Sequence, residues 1–426
     1  MKGGSAMPEI LSPAGNFEKL RAALRYGADA VYLAGKRFGM RSAADNFTDA
    51  ELGDAMAFVH GAGKKAYITV NTLPRGAEYP ALAAFFDLLR EIKPDGIIVS
   101  DLGVLALAAE KLPDVPRHIS TQASIVSPAA ARAYAALGAS RLVLARELQL
   151  PEIRAIRDAL PQNVELEAFV HGAMCMAYSG RCMLSEFFTG RDANHGACAQ
   201  PCRWHYTVVE EKRPDDPLTL DGDENGTVLF SSRDLSAIRL LPQLIEAGVD
   251  SFKIEGRIKS AYYTAVVTNA YRMALDAYLA DPAAYHFDEA WQRELDSVSH
   301  RPYDTGFFAA DPRKDAKLTT MDGYIREKAF FATVIEDGEI PRGIERENAA
   351  GKLCRLRQHN KLSRGDAAEL LCPHRVGIPF AVEELYDEAG APIATAPHPD
   401  MIFFARLPRN AGAGDLVRAA TVAAKT

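Results

Sequence analysis

Along the first two-thirds of the chain, short apolar runs alternate with longer stretches in which apolar residues recur every three or four positions. The short runs read as buried strands and the longer period as amphipathic helices. The joint between them repeats. A helical stretch ends in Gly, one or two residues follow, and an apolar run begins, as at Gly27-Ala28-Asp29-Ala30-Val31-Tyr32 and Gly63-Lys64-Lys65-Ala66-Tyr67-Ile68. The same joint returns at Gly138-Ala139-Ser140-Arg141-Leu142-Val143 and Gly248-Val249-Asp250-Ser251-Phe252-Lys253. Gly in that place ends a helix in the left-handed conformation, so the pattern predicts successive βα units. Strands are expected near residues 8–12, 29–34, 66–71, 95–100, 117–121, 140–145, 164–170 and 251–256, with helices such as 17–26, 49–60, 151–159 and 260–279 between or after them.

Eight βα units in about 280 residues predict an α/β fold, a closed (β/α)8 TIM-like barrel. The competing doubly wound sheet carries a Gly-rich phosphate loop after its first strand, and Ser12-Pro13-Ala14-Gly15-Asn16 is not one. After residue 325 the pattern changes to strands at 330–335, 351–356, 367–371, 380–386, 401–406 and 415–419, separated by Gly and Pro turns. That predicts a small antiparallel β-barrel. The expected organisation is a barrel over 1–310, with a cysteine-rich insertion at 171–234, and a β-barrel domain over 325–426.

Composition narrows the class. No apolar run reaches the roughly 20 residues of a membrane span. The first seven residues lack the apolar core of a secretory signal. A cytoplasmic protein with no membrane partner is therefore expected. The net charge of −7 gives the chain no generic attraction to nucleic acid. From Ile325 onward, however, 14 basic and 14 acidic residues cancel, and Lys352, Arg355, Arg357, Lys361 and Arg364 follow one another with no acid between. Such a stretch suits contact with RNA phosphates, and equally a solvated strand surface.

Four of the six cysteines, Cys175, Cys182, Cys198 and Cys202, fall within 28 residues. Clustered thiols in a chain of this size point to metal ligands or catalytic groups rather than a disulfide scaffold. They follow the seventh expected strand, and loops after strands build the working face of a barrel. The spacing C-x6-C-x15-C-x3-C suits a four-thiolate iron–sulfur cluster better than the two tight knuckles of a zinc ribbon, and zinc remains the alternative. A cysteine nucleophile would need an imidazole, and His171, His195 and His205 are near in sequence.

Polar residues also stand where strand ends should point into the mouth: Asn71, Gln122, Arg146, Glu147, Lys253, Glu255 and Arg257. They stand out because the barrel interior below is expected to be bulky and apolar. Lys253, Glu255 and Arg257 alternate, so all three share one side, either facing a substrate or forming a buried ion-pair layer. Arg146 and Arg257 have the forks that suit carboxylates. His171, just before the first cysteine, and Glu255 are the expected general acid–base groups. Arg191 to His195 reads as a polar turn ordering the insertion. Trp204 and Tyr206 would shield a cluster from water or simply pack.

The stretches Phe169-Val170-His171-Gly172-Ala173-Met174-Cys175, Tyr178-Ser179-Gly180-Arg181-Cys182 and Gly196-Ala197-Cys198-Ala199-Gln200-Pro201-Cys202-Arg203-Trp204 resemble the collagenase-like peptidase family U32. Leu11 to Asn16, Tyr26 to Tyr32 and Phe252-Lys253-Ile254-Glu255-Gly256-Arg257 extend the resemblance over the chain. The family name implies proteolysis, whereas its better-understood branches resemble oxygen-independent hydroxylases carrying a 4Fe–4S cluster. One branch hydroxylates the wobble uridine of tRNA at carbon 5, with prephenate implied as hydroxyl donor. Another acts on a cytidine of large-subunit ribosomal RNA, and short paired members act in ubiquinone synthesis. The length and the stretch Gln358 to Asp366 are most similar to the tRNA branch. The resemblance thus implies a 4Fe–4S cluster on the four cysteines, prephenate or a similar small dicarboxylate as co-substrate, and a tRNA anticodon stem-loop as partner. The alternatives are a collagenase-like peptidase and a non-catalytic, zinc-stabilised RNA-binding protein.

Overall fold

The computed structural model describes residues 7–40, 45–175, 177–178, 181–204, 233–309, 325, 328–335, 340–341 and 343–420. Seven parallel strands lie side by side in chain order: β1 (Glu9–Pro13), β2 (Ala30–Leu33), β3 (Lys65–Val70), β4 (Gly96–Val99), β5 (Arg117–Ile119), β6 (Arg141–Val143) and β7 (Glu165–Ala173). A short β8 (Asp234–Ser236) turns back antiparallel along the end of β7. The ring closes through β9 (Ser251–Ile254), whose Ser251 is in register with both Glu9 of β1 and Glu167 of β7. The result is the expected eight-stranded parallel barrel. Outside it, β10 (Tyr303–Asp304) runs parallel to β8.

Local chemistry explains the repeat. The four joint glycines, Gly27, Gly63, Gly138 and Gly248, take φ of 100°, 67°, 85° and 92°. A side chain there would be strained, so each helix stops and the chain turns into its next strand. The starts are fixed as well. Thr48 and Glu51 form a reciprocal capping box on helix Asp49–Gly61, and the Asp101 carboxylate accepts from the Val104 N–H at the head of Leu102–Lys111.

The lower barrel interior departs from the apolar filling expected of it. Arg141, 2% exposed, donates to Glu9 Oε1 at 2.7 Å, Glu165 Oε2 at 2.8 Å and Glu167 Oε2 at 3.2 Å. Tyr67 donates its hydroxyl to Glu9 Oε2 at 2.7 Å, and Lys253 Nζ donates to Glu167 Oε1 at 2.6 Å. Five strands thus share one buried ion network, which is tolerable because each carboxylate meets a cation or a donor. Burial alone would raise the Glu9 carboxyl, but the Arg141 charge and the hydrogen bonds from Arg141, Tyr67 and Ser251 hold it below the ordinary carboxylate range.

Two compact units are present: the described residues of 1–20, 28–259 and 301–324, and those of 21–27, 260–300 and 325–426. In the second, strands run antiparallel in the order 378–381, 367–371, 416–419, 330–334, 351–358, 402–407 and 385–386. Leu356, Leu370, Phe403 and Val417 fill their shared core. Among the described residues the hydrogen-bonded path is open at both ends, an antiparallel sheet. Helices Ala261–Ala280 and Glu289–Asp296 belong to this unit rather than to the barrel's share of the chain. Asn269 donates to the Arg375 carbonyl at 2.8 Å, and Arg418, 1% exposed, reaches Glu294 and Glu369, both at 2.8 Å. Among the described residues no helix is long and apolar enough to cross a membrane.

Candidate active site

One cavity opens at the C-terminal ends of the barrel strands, and all four clustered cysteines line it. The insertion that carries the thiols is ordered by short elements: a helix at Leu184–Thr189 and single 3-10 turns at Ala193–His195 and Pro201–Arg203. The backbone N–H groups of Leu184 and Gln200 each point at a sulfur two residues back, Cys182 and Cys198, at 3.4 Å. Burial pushes the Cys182 thiol up, the thiols of Cys175 and Cys198 add to it, and the Leu184 N–H opposes it. Four thiols around one cavity, two of them met by backbone N–H groups, form a donor set that fits an iron–sulfur cluster or zinc. Among the described residues no three His, Cys, Asp or Glu side chains form a ready-made metal cage, so the fit rests on that donor set.

The polar strand-end residues Asn71, Gln122, Arg146, Glu147, Lys253, Glu255 and Arg257 all line the same cavity. Arg146 lies 3.9 Å over the Phe169 ring, donates to the Ala173 carbonyl at 2.7 Å and stands 3.9 Å from Glu255. It therefore ties the end of β7 to the strand that precedes it, while its fork faces the cavity. Arg257 is 3% exposed and donates to Thr69 Oγ1 at 3.4 Å. Its carbonyl accepts from Lys19 Nζ at 3.1 Å and would meet a Cβ on Gly15 at 2.6 Å, so Gly15 is the residue that lets the first βα turn approach. Asn71 accepts from the Met40 N–H at 3.1 Å and donates to Gln122 Oε1 at 3.3 Å.

Lys253 combines a place on the cavity lining with a buried ion pair. It lines the cavity floor, yet it is paired with Glu167 and lies 4.5 Å from the centre of the Tyr32 ring. Burial pulls its ammonium below the ordinary lysine range, with the Glu167 charge opposing.

His171 is placed differently from the seven strand-end residues. It is 1% exposed, does not line the cavity, and packs at 5.2 Å on the Tyr303 ring. The cause lies in β7: its register to β9 slips between Phe169 and His171, and Gly172 follows with φ of 107°. The bulge breaks the alternation that would have carried His171 inward with Glu167 and Phe169. His195 is held in its turn, its Nδ1 2.6 Å from Asp192 Oδ2 and its Nε2 3.6 Å from Glu78. His205 and Tyr206 lie outside the described residues.

The basic stretch of the second unit does not gather on one face. Arg355 and Arg357 alternate on strand Gly351–Gln358, while Lys352 has the parity of the core residues Cys354 and Leu356. Arg355 is paired with Glu388 at 2.5 Å, and Arg364 donates to the Glu383 carbonyl at 2.9 Å. Lys361 stands at the turn before strand Leu362–Ser363.

Thr69 and Phe169 were missed by the sequence argument, although both were within its reach. Tyr67 and Thr69 share a parity on β3 with Asn71 just beyond its end, as do Glu165, Glu167 and Phe169 on β7. Carrying the alternation through each apolar strand finds them.

Fold and cavity together define a (β/α)8-barrel protein with a four-thiol site at its mouth. The chain belongs to peptidase family U32: residues 15–318 match the model of that family, and residues 343–418 match that of the peptidase family U32 C-terminal domain. Among its relatives, "tRNA hydroxylation protein P1" of Bacillus subtilis is 36% identical, over 96% of this chain and 94% of that protein. "tRNA hydroxylation protein P" of Escherichia coli is 35% identical over 92% of this chain and 91% of its own length. A protein of Porphyromonas gingivalis named "Collagenase" is 34% identical over 77% of this chain and 80% of its own.

Proposed function

We propose that this protein is an RNA-modifying hydroxylase that adds a hydroxyl to carbon 5 of the tRNA wobble uridine, without molecular oxygen. In this reading a 4Fe–4S cluster sits on Cys175, Cys182, Cys198 and Cys202, and prephenate or a similar dicarboxylate supplies the hydroxyl. The observation that carries it is the convergence of four thiols and two arginine forks on one barrel-mouth cavity. Support comes from the two relatives named for tRNA hydroxylation, each similar along nearly its whole length.

A cluster bound there supplies one-electron redox chemistry. The chain's own residues supply the rest. Arg146 and Arg257 hold the donor's carboxylates, each kept in place by its partners, Phe169 and Ala173 for one and Thr69 for the other. Asn71 and Gln122, joined to each other, offer amide groups to the edge of a base. Glu255, beside Arg146, holds or moves the proton at the reacting carbon. The exchange balances when uridine C–H becomes C–OH and the donor's C–OH becomes C–H. A stacked base could not enter such a mouth, so an unpaired loop base is the fitting substrate. Arg355, Arg357, Lys361, Arg364 and Lys352 are the proposed phosphate contacts in the second unit, acting in smaller groups than one continuous patch.

Anaerobic purification with iron, sulfide and zinc analysis tests the cofactor. The expected result is a brown protein with about four iron and four sulfide per chain, bleached in Cys198→Ser. A colourless protein with one zinc would support the RNA-binding alternative and contradict the redox reading.

A further inference from the structure

The twelve large hydrophobic residues exposed among the described residues are not scattered. Five of them, Tyr178, Met183, Phe187, Phe188 and Trp204, fall in the cysteine insertion, and four of those five are aromatic. Phe187 is 81% exposed, and grouped apolar side chains left in solvent are the kind of feature that marks a binding surface. The rings form a group: Phe187 and Phe188 stand edge to face at 5.2 Å, and Phe188 lies 6.4 Å from Trp204. Exposed Arg181 and Arg191 stand on the same segment, anchored through Nε to the carbonyls of Gln122 and Ala197.

We propose that Phe187, Phe188 and Trp204 form a stacking platform for the unpaired nucleotides that flank the target base of the RNA substrate. The choice of occupant follows from position. Leu184 and Ser185, on the same helix as Phe187 and Phe188, line the cavity, and so does Cys202, two residues before Trp204. The platform therefore borders the mouth, so one occupant can cover the rings and reach into the cavity. A single-stranded RNA loop does both, since aromatic faces take any base and arginines take the adjoining phosphates. Drawing one base into the cavity also costs its neighbours their stacking, and these rings replace it.

This inference rests on the RNA reading above, and the test separates the two. The sequence holds two tryptophans, and the other, Trp291, is buried in the second unit, so Trp291→Phe leaves Trp204 as the reporter. Anaerobically prepared full-length protein is titrated with an RNA stem-loop bearing an unpaired loop and with a blunt RNA duplex. The expected result is quenching of Trp204 by the stem-loop alone. Phe187→Leu with Phe188→Leu, which keeps an apolar surface and removes the rings, weakens binding on the order of tenfold per lost stacked base. Phe187→Trp retains it. Stem-loop binding that ignores the leucine pair overturns the platform and leaves the RNA reading standing. No RNA binding by the unaltered protein overturns both. A dimer in light scattering that the leucine pair dissolves assigns the patch to a second copy and overturns the platform.

Discussion

His118 is fully enclosed by the barrel wall, its ring edge-on to Tyr67 at 4.6 Å and its Nδ1 without a hydrogen-bond partner among the described residues. Burial holds this imidazole well below its ordinary range, and the charges of Arg141 and Lys253 add to that. The folded state thus keeps His118 neutral at a pH where the unfolded chain takes up a proton, and stability rises with pH across that interval. Stability should therefore fall as pH drops below about 6.5, by about 1.4 kcal/mol per unit from this group. His118→Phe should flatten that limb in urea unfolding between pH 6.5 and 5; an unchanged slope would show that His118 is protonated in the fold. At this scale the sequence was only partly legible. The four cysteines stood out because they cluster within 28 residues, and the seven polar strand-end residues because the barrel interior below them is expected to be apolar. His171 looked equally placed, and only the register slip in β7 explains why its ring turns to Tyr303 instead.

At the scale of elements, the strands were readable because Gly joints and apolar runs are local signals, and all eight barrel strands form where those signals put them. The ion network beneath the cavity was not. Glu9, Arg141 and Glu167 look like surface charges at strand starts until closure brings β1, β6 and β7 around a shared interior. Arg141 touches carboxylates on two other strands, so its loss leaves buried charge uncompensated. Arg141→Met should destabilise the barrel by about 3–5 kcal/mol, read as a shift in urea midpoint. A loss under 1 kcal/mol, the roughly expected worth of a surface pair, would mean that the carboxylates are solvated in the fold.

For the whole molecule, the division of labour between units was only half visible. Strands 330–334 to 416–419 were predicted, yet the helices after β9 read as the barrel's own, because a βα period gives no sign of which neighbour a helix face will choose. Asn269 and Glu294 reveal it only through Arg375 and Arg418, about a hundred residues on. The functional account makes one joint demand on the chain: thiols, donor-holding arginines and an RNA base must meet in a single cavity. The most direct measurement is nucleoside mass analysis of unmodified tRNA incubated anaerobically with the cluster-loaded protein and prephenate. The account predicts a wobble uridine heavier by one oxygen atom, absent with Cys198→Ser and with prephenate left out. Unchanged tRNA from loaded protein, alongside gelatin cleavage that survives loss of the cluster, would contradict it.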